Sequence, residues 1–427
     1  MLIDFSVTNF RSINEKQVFS MQTVGKVNEL NENAFSHSGI ELLRSVIILG
    51  RNASGKSNLM VAMDTLSRLI LSSITNLGIA YNPFKLNKIN TAKPVEFEIT
   101  FIAKDNIKYR YEISFDSEKI HREALFFYPE KKQAKLFLRE FGEKISIGDS
   151  FKGNIKDVEE KLYQSDTLLS RVLFHKIESL IEPFAFFNRH FVPHTYMSSD
   201  DKLMQHFNQN ILNTTMPQHL ENVSKLLRIA DIGIKSIEVK EFKKEDFNLP
   251  KEMDEAAKNR IYEKNRLKVF AIHEVFDDKK LPVGTVGFDI KEESSGTLKL
   301  ISLGSVMLDC LSDGDVLFID ELDKGLHPLL TRALIMIFNN PKTNPNNAQL
   351  IFVSHDVSLL NGGLFRRDQI WFADKDANGS TEYYSLADIN GVRKDIPLEK
   401  HYLSGAFGAT PVINEYDFEF NFERNVK

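Results

Sequence analysis

The chain has 427 residues, of which 42% are hydrophobic and 26% charged, a composition that is typical of globular proteins and excludes a disordered or fibrous chain. Its 54 basic and 59 acidic residues give a net charge of −5, so nucleic acid binding is not indicated, although a local basic groove would still allow it. The one cysteine, Cys310, excludes an intramolecular disulfide and a multi-cysteine zinc site. There is no signal-peptide pattern and no apolar run of roughly 18 residues, which predicts a cytoplasmic protein without a membrane partner.

Apolar patterning predicts the elements of the first part of the chain. Alternation over residues 2–10 predicts a strand, and the short β-branched run at 45–49 predicts a strand that is buried on both faces of a parallel sheet. Apolar residues from 56 to about 72 recur at helical spacing. Two further alternating runs, 95–101 and 109–115, are separated by turn-forming residues and predict an antiparallel hairpin.

The pattern changes near residue 155, where helical spacing becomes more common. The stretches with this spacing are 156–180, 200–229 and 251–269. Strand patterns return at 283–290, 316–319, 349–353 and 369–373, and residues 416–422 alternate like an edge strand or a docking tail. We therefore expect an α/β fold whose two sequence halves, 1–150 and 276–427, are separated by a helix-rich insertion at 151–275.

A glycine-rich segment between the strand at 45–49 and the following helix matches G-x-x-x-x-G-K-[ST], the phosphate-binding loop motif. Its residues are Gly50, Arg51, Asn52, Ala53, Ser54, Gly55, Lys56 and Ser57. The glycines allow the sharp turn that points backbone N–H groups and the helix N-terminus at phosphates. Lys56 can reach the β- and γ-phosphates, and the Ser57 hydroxyl can coordinate Mg²⁺. A chance glycine–lysine turn is the alternative, which the flanking strand and helix disfavour.

The apolar run at 316–319 ends in two carboxylates, Asp320 and Glu321. An apolar strand that ends in a carboxylate is the Walker B pattern, in which Asp320 would lie beside Mg²⁺ and Ser57. Glu321 is then a candidate base that orients and activates the attacking water. Taken alone, an Asp-Glu pair is as often a solvated strand end, but together with the phosphate-binding loop it predicts nucleotide hydrolysis.

Five elements in chain order resemble those of ABC-type ATPases of the SMC, RecF and OLD branch. They are residues 9–12 (Asn-Phe-Arg-Ser), the phosphate-binding loop, a divergent signature motif at 293–299, the Walker B motif and D-loop at 320–328, and the H-loop at 352–355. The chain also resembles the stand-alone AAA-15/AAA-21 type ATPases, which are often found in bacterial anti-phage or restriction-associated operons. Residues 402–409 resemble the C-terminal region of these ATPases. No glutamine is assigned to the Q-loop, for which Gln133 and Gln164 are equal candidates.

The resemblance implies a fold and a set of functional residues. The implied fold is an ABC-type P-loop NTPase head with an N-terminal antiparallel β part and the helix-rich insertion. The implied catalytic residues are Lys56, Glu321 and His355, and the implied Mg²⁺ ligands are Ser57 and Asp320. The residues implied to bind ATP are Arg11, Ser12, Gly50, Asn52, Ala53, Ser54, Gly55, Lys56, Ser57, Asn58, Ser294, Gly296 and Asp323.

The resemblance also implies partners. In the family, ATP is bound between the phosphate-binding loop of one protomer and the signature motif of another, so we expect a homodimer or a higher homo-oligomer. The insertion shows no sustained heptad pattern, which disfavours a long coiled-coil arm. About 70 residues follow His355, too few for a further nuclease domain, so any nuclease effector is expected on a separate polypeptide.

Two functions are consistent with these features. The first is a Mg²⁺-dependent ATPase that acts as a sensor or scaffold in prokaryotic anti-phage defence and controls a separately encoded effector protein. The alternative is a DNA repair ATPase of the RecF or SMC-like kind that clamps DNA, which the net charge of −5 disfavours. A nucleotide-binding subunit of a membrane transporter is disfavoured by the large insertion and the divergent signature.

Overall fold

The computed structural model describes residues 1–71, 76–130, 132–194, 217–230, 233–247, 249–250, 252–393 and 396–411. The alternating segment at 416–422 and the first part of the predicted helical stretch at 200–229 lie outside these residues. Within the described residues, no helix is both long enough and apolar enough to cross a membrane.

The strands of the described residues form four sheets. In chain order they are β1 (Leu2–Thr8), β2 (Gln17–Ser20), β3 (Ala34–His37), β4 (Ile40–Leu43), β5 (Ser45–Leu49), β6 (Val95–Ile102), β7 (Lys108–Phe115), β8 (Ile120–Tyr128), β9 (Ala134–Glu140), β10 (Ser146–Ile147), β11 (Phe191–His194), β12 (Ile234–Glu241), β13 (Leu267–Phe276), β14 (Pro282–Asp289), β15 (Val316–Ile319), β16 (Gln349–Val353), β17 (Ile370–Lys375) and β18 (Thr381–Ser385). The strands predicted at 2–10, 45–49, 95–101, 109–115, 283–290, 316–319, 349–353 and 369–373 are confirmed within one or two residues at each end.

The α-helices of the described residues range from single turns to five turns. In chain order they are α1 (Lys56–Ile70), α2 (Leu77–Ala80), α3 (Lys156–Glu159), α4 (Glu178–Ala185), α5 (Pro217–Ile229), α6 (Glu255–Asn265), α7 (Ser295–Asp313), α8 (Pro328–Asn339) and α9 (Leu398–Leu403). A π-helical turn at Phe186–His190 follows α4. The predicted helix at 56–72 is confirmed as α1.

A six-stranded sheet forms the centre of the fold, in the order β11-β15-β16-β5-β17-β18. Neighbouring strands are parallel except for β17 and β18, which are antiparallel. β5, β15 and β16 are buried at every residue, which explains their nearly unbroken apolar sequences. Because parallel strands end at the same edge of a sheet, the residues that follow these three strands lie at one edge. These residues are Gly50, Asp320 and Ser354.

The two faces of the central sheet pack against different layers. Side chains alternate between the faces, so Val46 and Ile48 of β5 lie in one hydrophobic core and Ile47 and Leu49 in the other. The first core also contains α1 and the seven-stranded antiparallel sheet, ordered β10-β9-β8-β7-β6-β1-β2. The second core contains α5, α7 and α8. Helix α1, which begins in the phosphate-binding loop, therefore packs in the layer shared by the two large sheets.

Gln349, at the start of β16, joins the two large sheets. Its Oε1 accepts a hydrogen bond from Leu2 N at 2.7 Å, and its Nε2 donates to Leu2 O at 3.1 Å and to Leu43 O at 3.3 Å. The side chain is fully buried, so these bonds satisfy polar groups that would otherwise be costly to bury. Strand β1 is thereby fixed against the central sheet.

The insertion at 151–275 contains strands that the sequence analysis did not predict. β11 lies inside it and pairs with β15 of the central sheet. β12 also lies inside it, and with β13, which ends one residue beyond it, and β14 it forms a three-stranded antiparallel sheet. In β12 the buried residues Ile234 and Ile237 are three positions apart, so its sequence does not show the period of two that identifies a half-buried strand.

Two helical predictions are corrected in their extent. The stretch at 156–180 is divided into α3, a 3₁₀ turn at Leu169–Leu173 and the start of α4. The stretch at 251–269 is helical only in α6, because β13 begins at Leu267. Helical spacing within these stretches therefore reflects short turns that pack separately, and tertiary contacts determine where each one ends.

Candidate functional site

The phosphate-binding loop connects β5 to α1 through backbone conformations that few residues adopt. Gly50, Ala53 and Gly55 have φ angles of 154°, 60° and 102°. A Cβ at position 55 would lie 2.2 Å from Thr381 Oγ1 and 2.7 Å from Ser12 Oγ. Position 55 therefore needs glycine both for its backbone angle and for lack of space.

Lys56 is buried at the start of α1, although lysine side chains are usually exposed. Its Nζ donates hydrogen bonds to Gly50 O at 2.7 Å and to Arg51 O at 2.9 Å. Burial lowers the pKa of the Lys56 ammonium group from its ordinary value, and the charges of Asp320 and Glu321 oppose this shift. The ammonium group lies inside the curve of the loop, from which it can reach a bound phosphate.

The structure brings Ser57 and Asp320 together at the shared edge of β5 and β15. Ser57 Oγ donates a hydrogen bond to Asp320 Oδ1 at 3.1 Å, across a sequence separation of 263 residues. Burial raises the pKa of the Asp320 carboxyl above its ordinary value, the Ser57 hydrogen bond lowers it, and the charge of Glu321 raises it further. A serine hydroxyl and a carboxylate oxygen in contact form a set of hard ligands that suits Mg²⁺.

Glu321 follows in a strained turn. Its φ angle is 54°, which is uncommon for a residue other than glycine. Lys324 Nζ lies 2.9 Å from Glu321 Oε2, and this hydrogen bond is the main cause that lowers the pKa of the Glu321 carboxyl. Lys299, from the first turn and a half of α7, donates to Glu321 O at 3.3 Å and also to Lys324 O. The ammonium group of Lys299 thus holds the backbone of this turn.

Arg11 and Ser12 meet the phosphate-binding loop through the first turn of α1. Asn58 Nδ2 donates to Ser12 Oγ at 2.6 Å, and Arg11 Nη1 donates to Asn58 Oδ1 at 3.2 Å. Arg11 has a φ of 52°, and its main-chain N–H donates to Asn82 O at 2.6 Å. The three residues that the sequence analysis named separately therefore form one hydrogen-bonded group.

The β17–β18 hairpin also holds the loop, which the sequence analysis missed. Arg51 Nε lies 3.2 Å from Asp374 Oδ1, Thr381 Oγ1 donates to Ser54 O at 2.8 Å, and Tyr383 OH donates to Gly55 O at 2.6 Å. More than 320 residues separate the two hydroxyl groups from these carbonyls in sequence, and no motif spacing relates them. The sequence analysis predicted no strand at 381–385, so it gave no signal for these contacts.

The signature segment caps α7 and contacts the turn after Walker B. Ser294 Oγ accepts from Thr297 N at 3.2 Å, as an N-cap residue does. A Cβ at Gly296 would lie 3.0 Å from Gly325 O, so the helix start and the D-loop are closely packed. Asp323, inside that loop, has a buried Oδ1 without a hydrogen-bond partner. The side chain of Ser294 hydrogen-bonds to Thr297 in its own helix turn, whereas that of Ser57 hydrogen-bonds to Asp320.

The remaining predicted site residues are exposed at the edge of the candidate site. His355, after β16, is exposed, and a positive charge at its position would lower the pKa of both Asp320 and Glu321. Asn52 and Ala53 are exposed on the outer side of the loop. The two Q-loop candidates belong to the antiparallel layer, where Gln133 Oε1 accepts from Tyr128 OH and Gln164 O accepts from Ile120 N.

The site fits a nucleotide and a magnesium ion by its chemistry. The loop offers a helix N-terminus, an ammonium group and Ser54 Oγ, which is buried without a hydrogen-bond partner. Mg²⁺ usually takes one or two protein ligands besides water and phosphate, which Ser57 and Asp320 could supply. No group of three or more His, Cys, Asp or Glu side chains able to hold a metal occurs in the described part of the chain. A magnesium ion held jointly by protein and phosphate fits this arrangement better than an all-protein cage.

A family model described as "AAA domain, putative AbiEii toxin, Type IV TA system" matches residues 45–361. The matched range runs from β5 to the end of the turn after β16 and includes the phosphate-binding loop, the signature segment, Asp320, Glu321 and His355. It makes up well over half of the 427 residues. The chain belongs to this family.

Several solved structures are similar to this AAA-domain family member. An SMC head bound to the C-winged helix domain of ScpA shares 15% identity over 90% of this chain and 97% of that chain, with a TM-score of 0.45. The SMC head domain from Thermotoga maritima shares 11% identity over 90% and 98%, with a TM-score of 0.39. RecF with ATP shares 13% identity over 90% and 99%, with a TM-score of 0.38. None of the curated proteins matches the chain.

The crowding at position 55 gives a test of the loop geometry. Gly55→Ala should lower the free energy of unfolding by about 2 kcal/mol or more, because a left-handed φ and a contact with Thr381 are both unfavourable for a Cβ. Urea denaturation of the purified variant measures this change. Gly284→Ala is the matched control, since a Cβ there meets no atom within 4 Å. Equal stability of the two variants would contradict the loop geometry.

Proposed function

We propose that this protein is an ABC-type ATPase that hydrolyses ATP with Mg²⁺. The observation that carries the proposal is the 3.1 Å hydrogen bond between Ser57 and Asp320, made beside the buried ammonium group of Lys56. A buried cation near a half-buried carboxylate costs folding free energy, and ionisable groups held together in this way are typical of functional sites. Family membership supports the same conclusion, because the family is described as an AAA domain.

Each residue of the site has a distinct part in the proposed reaction. Lys56 and the N–H groups of the loop bind the β- and γ-phosphates and oppose the negative charge that develops on the transferred group. Ser57 and Asp320 would hold Mg²⁺, which when bound neutralises phosphate charge. Glu321 orients the attacking water and accepts its proton. The hydrogen bond from Lys324 lowers the pKa of the Glu321 carboxyl, and this ion pair has to open before water can replace the cation.

The proposed active form is a homodimer, or a higher homo-oligomer, that binds ATP between protomers. Ser294 and Ser295 are exposed at the start of α7, a helix of 19 residues. The N-terminus of a helix carries unpaired N–H groups and a partial positive charge, which favour an anion such as a γ-phosphate. Because Ser294 hydrogen-bonds within its own turn, the exposed face of the turn is free to meet the nucleotide on a second protomer. Asp323 and His355 would complete the contact.

The proposed biological role is that of a sensor or scaffold in prokaryotic anti-phage defence. The support is the family's description, which names a toxin and a type IV toxin–antitoxin system, and hence a functional partner encoded separately. Closure of the dimer on ATP and release after hydrolysis would control a separate effector protein. The proposed location is the cytoplasm, where ATP is available. A DNA-clamping role would instead require that double-stranded DNA raises the rate of ATP hydrolysis, which the same assay tests.

Lys56→Ala should lower ATP turnover by at least about 100-fold, since the variant lacks the charge that stabilises the transferred phosphoryl group. A phosphate-release assay with Mg²⁺ and purified protein measures the rate. Lys342→Ala, which removes an exposed lysine before β16, at the opposite edge of the central sheet from the loop, is the control and should keep the wild-type rate. Wild-type turnover in Lys56→Ala would refute the site.

Glu321→Gln should bind ATP but hydrolyse it at least about 100-fold more slowly, because an amide keeps the shape of the carboxylate and cannot accept a proton. The variant should also accumulate as a closed ATP-bound dimer, seen by analytical ultracentrifugation or, for a constitutive dimer, by a distance probe between the heads. Glu382→Gln, an exposed glutamate on β18, serves as the control. If the Glu321 variant with ATP and Mg²⁺ shows the same species as the apoprotein, the sandwich proposal fails.

Action of the signature segment in trans can be tested by mixing protomers. Ser295→Glu adds a negative charge that suits the N-terminus of α7 in its own chain but repels a γ-phosphate on the partner. It is preferable to a change at Gly296, where any Cβ crowds Gly325 O. Ser295→Glu and Lys56→Ala should each be nearly inactive when pure.

A co-expressed, doubly tagged heterodimer of these two variants retains one intact composite site. It should hydrolyse ATP at least about tenfold faster than either pure variant, given the charge argument above. Ser295→Ala controls for loss of the serine and should remain active. Full activity of pure Ser295→Glu would remove the signature segment from the mechanism.

A further inference from the structure

Two hydroxyl groups of β18 contact consecutive carbonyls of the phosphate-binding loop. Thr381 and Tyr383 are two residues apart, so their side chains project from the same face of the strand. Thr381 Oγ1 donates to Ser54 O at 2.8 Å, and Tyr383 OH donates to Gly55 O at 2.6 Å. Both residues are buried, with 0% and 8% of their surfaces exposed, so each bond is made away from competing water.

The direction of a carbonyl fixes the direction of the N–H group in the same peptide unit. In a planar trans peptide the C=O and N–H bonds point in opposite directions. Holding Ser54 O toward β18 therefore turns Gly55 N–H away from the hairpin, and holding Gly55 O does the same for Lys56 N–H. These are the amides of the glycine and lysine through which a phosphate-binding loop contacts phosphates.

We infer that Thr381 and Tyr383 are positioning residues that orient the Gly55 and Lys56 amides toward the phosphates of a bound nucleotide. The inference rests on the proposed function, because it concerns the same phosphate-binding loop. It also gives the hairpin a role beyond packing, since the two hydroxyl groups act on the loop and not on the nucleotide.

The surroundings of Thr381 hold its hydroxyl in the donating orientation that this role needs. Asn58 Nδ2 donates to Ser12 Oγ at 2.6 Å, and Ser12 Oγ lies 2.7 Å from Thr381 Oγ1. Because Thr381 uses its hydrogen on Ser54 O, Ser12 is the donor in the second contact, and the chain of bonds runs in one direction. The backbone of Thr381 is fixed as well, through its N–H to Ser12 O at 2.7 Å.

Tyr383 is a donor over the whole range of physiological pH. Burial raises the pKa of its phenol above the ordinary value, so the group keeps its proton. Its neighbour Tyr384 points to the other face of β18 and donates to Phe407 O at 2.8 Å. Tyr384 makes the same type of bond to a carbonyl, but outside the loop, and therefore provides a matched control.

The test compares ATP affinity with stability in the full-length protein. Tyr383→Phe and Thr381→Val remove the hydroxyl groups at nearly constant volume, and each should weaken binding of ATP with Mg²⁺ about 5- to 20-fold by isothermal titration calorimetry. Thr381→Ser keeps the hydroxyl and should restore binding to near the wild-type value. Tyr384→Phe should lower the melting temperature of the apoprotein as much as Tyr383→Phe while leaving ATP affinity unchanged.

The outcomes separate this inference from the proposed function. Wild-type protein that fails to bind ATP, or a Lys56→Ala variant that binds it as well as wild type, overturns the proposed function and this inference with it. ATP binding by wild type together with unchanged affinity in Tyr383→Phe and Thr381→Val overturns the inference alone. An equal loss of affinity in Tyr384→Phe shows a general effect of stability and also overturns it. If Thr381→Val does not fold, the comparison of Tyr383→Phe with Tyr384→Phe decides.

Discussion

The parallel register of β5, β16 and β15 is the constraint on which the candidate site depends. Val353 of β16 pairs with Ile48 of β5, and Phe352 pairs with Ile319 of β15. This register ends the three strands at one edge and leaves Ser57 Oγ 3.1 Å from Asp320 Oδ1. A shift of one residue in β15 would turn its side chains to the opposite face of the sheet, so the core that buries β15 also fixes the acidic residues that follow it.

A cluster of aromatic side chains connects the two large sheets and supports this register. The rings of Phe101 on β6 and Phe186 in the π-helical turn stack with centroids 4.1 Å apart. Phe191 on β11 then meets Phe318 on β15 edge-on at 4.5 Å. Rings in these geometries stabilise a core by more than their buried area alone, and their shapes limit how the layers can slide. β15, which precedes Asp320, is therefore held by its two neighbouring strands and by aromatic packing that reaches the antiparallel layer.

The sequence predicts the parts of the fold and site that depend on local pattern. The buried run of β5, the following G-x-x-x-x-G-K-[ST] segment and the apolar strand before Asp320 each contain their own signal, because burial on both faces and a tight phosphate turn restrict composition. β12 was missed because its buried residues are three apart. Thr381 and Tyr383 were missed for a different reason. Their contacts join distant segments, and a hydroxyl that supports a carbonyl can come from any strand that packs beside the loop.

The two sides of the candidate site are held by interactions of different strength. Under the proposed function, the more weakly held side is where binding of a nucleotide should change the structure. The phosphate-binding loop is fixed by buried hydroxyl groups of Thr381 and Tyr383, which water cannot replace without cost. The acidic turn is held by Lys324, whose side chain is 61% exposed, and by Lys299 from α7. Exposed ion pairs contribute little and are screened by salt, so the Glu321–Lys324 pair can open readily.

Lys299 connects the Glu321–Lys324 ion pair to the start of the signature helix, α7. It donates to the carbonyls of both Glu321 and Lys324, so the acidic turn and the start of the signature helix share one cation. Gly296, which packs against Gly325 O in the same turn, adds a close backbone contact to this connection. A rearrangement that freed Glu321 for an attacking water would therefore act directly on the segment proposed to meet the second protomer. Under the proposed function, the rigid loop would hold the nucleotide, and the acidic turn would communicate its presence to the proposed dimer interface.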